Sequence, residues 1–346
     1  TKPGWDGGTG QQAPGMAWDD FNNKKILGTV SVEEDGSVYF AVPADRFVYF
    51  QLLDENGMMV QSMRSGAIVR PGETAGCVGC HENRQASVPS GQMVNAMRRS
   101  PTPLTPWHGP ERNFGYLTEV QPAFDKHCVS CHDYGEEAGK KLNLAGDLGT
   151  VFNTSYVELR RKKYVKVPGA GPFQIQMPKS WGSHASRLAD VLLNGHGDES
   201  IDAQVQMDPE SFDRIVTWID INAPYYPEYS SAYRNNQHGR SPLSVAQTAE
   251  LKKLTGSIDA NFTRPALSPC LAKYKDTAEP GYQQALAIIQ AGKKNLSERP
   301  RADMAGFQLV DKTEIDQQAK YDALQRAEEA ARQAIIRGEK QYDSQQ

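Results

Sequence analysis

Two pentapeptides pose the chemical question. Residues 77–81 read CVGCH and residues 128–132 read CVSCH, so four of the chain's five cysteines sit in two copies of one pattern. Cysteines three positions apart can each bond one vinyl group of a porphyrin, and a histidine directly after the second then lies beneath the iron. The spacing predicts two covalently bound haem c groups, one held by Cys77, Cys80 and His81, the other by Cys128, Cys131 and His132. A closed zinc site needs four ligands, and it gives no reason for a histidine after both cysteine pairs. A redox CxxC motif wants a βαβ setting, which this sequence does not offer. The fifth cysteine, Cys270, reads as a small buried residue.

The second axial position of each iron draws on His108, His127, His184, His196 and His238. In small c-type cytochrome domains the sixth ligand comes from the loop before the last helix. His196, in NGHGD, occupies such a loop, ahead of the strongly helical DPESFDRIVTWID. His184, in GSHAS, lies one helix earlier and is the second choice; Met207 is the third. For the first haem, His127 stands beside the first cysteine of the second motif, where a histidine can reach back to a neighbouring porphyrin. His108, in PWHGPE, and an open position are the alternatives.

Positioning these residues falls to a mixed chain. Residues 1–23 read as an irregular Gly- and Pro-rich arm. Across 24–76, alternating apolar and polar residues punctuated by Asp35-Gly36 and Asn56-Gly57 predict a small antiparallel β-sandwich or sheet. A first haem loop follows over 77–115, then a cytochrome c-like domain over 116–228 carrying the second haem. In that domain Tyr116, Val120 and Phe124 share one helical face. Asp208 should cap a helix that Pro224 stops, and Gly195 should end a shorter one. Residues 229–346 read as loop-rich up to a C-terminal helix opening at Thr313 with a narrow stripe of Leu324, Ala327, Ala331, Ala334 and Ile335. The fold class expected is mainly α, with a small N-terminal antiparallel β domain.

Composition excludes several function classes. A net charge of −4, from 38 basic and 42 acidic residues, gives no reason to expect nucleic acid or an anionic membrane as partner. No run of about 18 apolar residues is present to span a bilayer. The sequence starts at Thr1 and reads as a processed or partial chain. Because thioether attachment takes place outside the cytoplasmic membrane, export to the periplasm or cell exterior is expected. Asp- and Asn-rich loops could hold calcium.

Several stretches together resemble the family related to the hydrazine synthase alpha subunit, a group of exported dihaem c-type proteins. They include RPGETAGCVGCHENRQ, VQPAFDKHCVSCHD, GSHASRLADVLLNGH, VTWIDINAPYY and RPRADMAGFQLV, spread in order over roughly residues 26 to 310. The resemblance implies that this chain corresponds to the C-terminal portion of longer proteins, and that the second haem has two histidine ligands. It also implies a catalytic first haem whose iron is bound by a tyrosine four residues after the motif's histidine, with that histidine turned to a zinc ion. Gln85 stands at that position here, so His81 is expected to ligate its own iron.

On the residues alone, the leading expectation is a dihaem electron carrier that is not itself an enzyme and that meets redox protein partners. The first alternative is a haem enzyme, a peroxidase or one acting on nitrogen compounds, with an open first haem and His108 as acid or base. The second alternative is a self-associating subunit of a conducting filament.

Overall fold

The computed structural model describes residues 15–20, 22–63, 65–78, 93–168, 176–202 and 205–339. It is mostly helical, with one small two-stranded antiparallel sheet. The helices run in the order α1 (Tyr116–Glu119), α2 (Gln121–His127), α3 (Glu137–Lys141), α4 (Thr154–Arg161), α5 (Arg187–Asn194), α6 (Glu199–Asp202), α7 (Pro209–Asp220), α8 (Val245–Thr255), α9 (Pro280–Glu298) and α10 (Lys312–Ile336). The sheet pairs β1 (Gln51–Leu53) with β2 (Met59–Ser62). Its turn is closed where the sequence places Asn56-Gly57: the Asp54 carboxylate accepts from the backbone N–H groups of Asn56 and Met58, and Gly57 has φ +74°.

Two compact units divide the chain. The larger comprises the segment ending at Lys24, Leu53–Val60 and Asn113–Asp311. One of its cores is aromatic. Tyr116, Tyr156, Trp218 and Tyr225 are all fully buried, with ring centroids 5.0 Å apart for Tyr116–Trp218 and 4.8 Å for Tyr156–Tyr225. Such edge and tilted contacts add to the area buried. Helix α7 feeds this core through Ile215, Val216, Trp218 and Ile219, all buried. Its N-terminus is fixed as the sequence predicts: the Asp208 carboxylate accepts from the Ser211 backbone N–H, and Pro209 stands in the first turn.

A further core gathers Leu243, Leu251, Phe262, Leu271, Ile289 and Leu296 around α8 and α9, with Cys270 buried among them. The region expected to be loop-rich thus contains a 19-residue helix, α9. Nearby, Arg301 is wholly buried and forms a bidentate ion pair with Asp303, which in turn accepts from the Tyr225 hydroxyl.

The other unit comprises Lys25–Leu52, Gln61–Arg112 and the segment from Lys312. Of the β-sandwich or sheet expected here, the described residues form the sheet alternative in small: part of the hairpin and isolated bridges, Thr29 with Thr105, Phe40 with Thr102 and Val48 with Ala67. The reason is that alternation alone does not bury a face. Val32, Phe47 and Ile68 are exposed, so no second sheet covers them among the described residues. Helix α10 belongs to this unit, where its Glu328 lies 3.6 Å from Arg46. Leu324 on its expected apolar stripe is exposed. Among the described residues no helix is long and apolar enough to cross a membrane.

Candidate haem site

Helix α2 delivers the second motif. Val120 and Phe124, both fully buried, seat the α1–α2 segment, and α2 packs on α7. The helix stops at Cys128, whose N–H still bonds to the Phe124 carbonyl, and the chain then turns so that the His132 N–H meets the Cys128 carbonyl. Cys128 is half-buried, Cys131 is exposed, and burial pushes the Cys128 thiol up to about 12.

His132 is clasped by the segment after α3. Its Nδ1 donates to the Leu142 carbonyl at 2.8 Å, and its own carbonyl accepts from the Leu144 N–H at 2.8 Å. Gly139 permits this approach, because a Cβ there would lie 1.8 Å from the Asp133 carbonyl oxygen. Asp133, the next residue, pairs with Arg264, and these hydrogen bonds hold its carboxyl below the usual range.

His196 comes from the loop after α5. Gly195 ends that helix with φ +81° and ψ −175°, a region only glycine enters readily. The Asp202 carboxylate then accepts twice from His196, from the backbone N–H at 2.6 Å and from Nδ1 at 3.1 Å. Those bonds, the backbone one foremost, hold Asp202 below the ordinary carboxylate range.

The two rings meet. The centroids of His132 and His196 are 6.3 Å apart and their planes are inclined by 32°. Two metal–imidazole bonds of about 2.0 Å and two ring radii of about 1.1 Å would place coaxial centroids about 6.2 Å apart. With Nδ1 of each ring donating to protein oxygen, Nε2 is the lone-pair nitrogen on both. Exposed Leu193 and Ile201, on the elements either side of His196, add apolar surface suited to a porphyrin. The donor set and spacing fit an iron held between two histidines, with Cys128 and Cys131 on the adjoining turn.

The other candidate histidines are engaged differently. His127 directs Nε2 to Asp208 at 2.9 Å, and Lys126 contacts the same carboxylate. His184 lies with Nε2 2.9 Å from Asp54, close enough for an ion pair though off the line of a hydrogen bond. His108 packs edge-on against Trp107, with centroids 5.0 Å apart, and Met207 is half-buried. Cys77 is exposed, whereas Cys80, His81 and Gln85 lie outside the described residues, so the first site is not assembled here. Among the described residues no group of three or more His, Cys, Asp or Glu side chains converges on a cation position, which leaves the calcium expectation without support. Asp202, Asp208 and Asp54 are partners that sequence reasoning missed.

Residues 2–82 match the hydrazine synthase alpha subunit middle domain. A hydrazine synthase subunit alpha from Kuenenia stuttgartiensis is 35% identical to this chain over 72 residues. That match covers 21% of this chain and 9% of the relative, so it spans under a tenth of that protein. A solved structure of the Kuenenia stuttgartiensis hydrazine synthase aligns with 59% of this chain and 34% of its own, at 22% identity and a TM-score of 0.43. The related region therefore begins in the expected arm and runs through the first CxxCH motif. Relation to a subunit of a synthase corrects two expectations, that the chain is a simple electron carrier and that it is not an enzyme.

Proposed function

We propose that this chain is part of a haem c redox enzyme acting on small nitrogen compounds, in the manner of a hydrazine synthase alpha subunit. The region related to that subunit contains Cys77, Cys80 and His81, and this is where the substrate-binding haem is assigned, with one axial position open. The second haem is assigned to Cys128, Cys131, His132 and His196 in a cytochrome c-like domain, where it feeds or drains electrons within the enzyme. A haem with two nitrogen ligands exchanges electrons and offers substrate no coordination site.

The observation that carries the second assignment is the proximity of His132 and His196, with ring centroids 6.3 Å apart and each ring tied at Nδ1. Of the three candidate histidines that meet an aspartate, His196 alone does so through Nδ1; His127 bonds to Asp208 through Nε2, and His184 sets Nε2 at ion-pair distance from Asp54. Thioether attachment implies export to the periplasm or cell exterior. The relative's designation as a subunit supports association with other protein subunits.

The test is a carbon monoxide titration of the reduced protein matured with haem. One haem per chain should bind carbon monoxide and the other should stay six-coordinate, while H196A should make the second haem reactive. Two low-spin haems inert to carbon monoxide would sink the enzyme reading. Loss of inertness in H127A or H184A rather than H196A would sink the ligand assignment.

A further inference from the structure

We infer that Asp202 is the positioning residue of the distal ligand, fixing the His196 ring and setting how strongly its Nε2 donates to iron. The inference rests on reading His132 and His196 as ligands of one haem.

Three observations place Asp202 in this role. One carboxylate oxygen, Oδ1, takes both the backbone N–H and the Nδ1–H of His196, so ring and main chain are locked to the same point. Asp202 is itself held: its N–H bonds to the Asp198 carbonyl at 2.9 Å, and the Asp198 carboxylate ties down Ser200. Gly195 makes room for the clamp, because a Cβ there would stand 2.4 Å from Asp202 Oδ2. The connection after α5 and the short helix α6 are thus tied together by this carboxylate, which reaches back to the histidine at the start of the connection.

The two ligands differ in what holds them. His132 donates to a neutral carbonyl, that of Leu142, whereas His196 donates to a charged carboxylate. A carboxylate on Nδ1 shifts charge toward imidazolate, raises the basicity of Nε2 and favours ferric over ferrous iron. The distal loop, not the CxxCH turn, therefore carries the stronger control over this haem's potential. Asp198 and Glu199 add negative charge in the same loop, while no Lys or Arg occurs between 195 and 202.

The experiment compares wild type, D202N, D202A and D198N as haem-loaded protein, reading midpoint potential and electron paramagnetic resonance of the low-spin haem. D202N keeps the shape and an acceptor oxygen but loses the charge. It should keep a low-spin spectrum while the preference for ferric iron falls about tenfold, which raises a one-electron potential by about 59 mV. D202A should release the ring, giving a high-spin fraction that binds carbon monoxide. D198N removes a loop charge without touching the ring and should move the potential less. A wild-type low-spin signal that neither D202N nor D202A alters, or a D198N shift as large as that of D202N, overturns the role of Asp202 alone. A wild-type spectrum without a low-spin haem overturns the ligand reading and this inference with it.

Discussion

Asp220 shows how one side chain can tie a candidate-site segment to the core. Its carboxylate accepts from the Ser183 N–H at 2.6 Å, the Ser183 hydroxyl at 2.7 Å and the Met59 N–H at 3.0 Å, and it is 2% exposed. Burial nevertheless dominates and lifts its pKa from 3.8 to about 6. A raised acid pKa means the folded state binds the proton more tightly than the unfolded chain. The stabilisation is complete below the unfolded value and is lost as pH rises from about 4 to about 6. Relative to D220N, wild type should lose about 3 kcal/mol of stability across that window, measured by denaturant unfolding at pH 4, 5, 6 and 7. Parallel pH profiles for the two proteins would refute it. The same scale explains why the site was only half legible. The CxxCH pattern marks His132 as a ligand candidate, but nothing near His127, His184 or His196 announces which ring nitrogen meets a partner. That depends on Asp208, Asp54 and Asp202, two of them more than 80 positions from their histidine.

At the scale of elements, a glycine and a helix stripe decide what the sequence could reveal. Gly195 was readable as a helix end, and its backbone conformation bears this out. G195A should lower stability by about 1–3 kcal/mol through backbone strain, and should displace the His196 loop because the added methyl meets Asp202. Thermal unfolding gives the first effect and the low-spin spectrum the second; a fully low-spin G195A protein of unchanged stability would contradict the loop geometry. Helix α7 was legible because an aspartate cap, Asp208, and a proline stop, Pro224, mark its two ends. Helices α8 and α9 were not. The buried positions of α8 include Thr248 and Thr255, and the buried stripe of α9 is Tyr282, Ala285, Ile289, Gly292 and Leu296. Threonine, alanine and glycine mute the apolar period, and the fit is made by contact: a Cβ on Gly292 would come 2.4 Å from the Phe262 ring. Because Ile289 is fully buried in that cluster, I289A should cost about 2–5 kcal/mol, read from the shift in the denaturation midpoint at constant slope. A loss under about 1 kcal/mol would mean that the α8–α9 core does not pack as described.

At the scale of the whole molecule, the division into two units makes an energetic statement. The larger unit holds the aromatic core, the α8–α9 core, the buried Arg301–Asp303 pair and the His132–His196 pair. The other unit contributes few fully buried side chains among the described residues, Val48 and Ala96 being its buried apolar ones, while Phe47, Ile68, Met93 and Met97 stand exposed. Since apolar burial supplies most of the stabilisation, the two units should not melt together. Calorimetry of the haem-loaded protein should show two transitions. The first should report the unit around Lys25–Leu52 and Gln61–Arg112, and the second the larger unit. D220N and I289A should move the second transition and leave the first in place, and a Glu33→Gln change, which removes the 2.6 Å ion pair with Arg99, should act on the first alone. A single transition that all three variants shift equally would show that the chain unfolds as one cooperative body. Two independent transitions would mean that Cys77 belongs to the less stable unit while the second CxxCH motif is anchored in the more stable one.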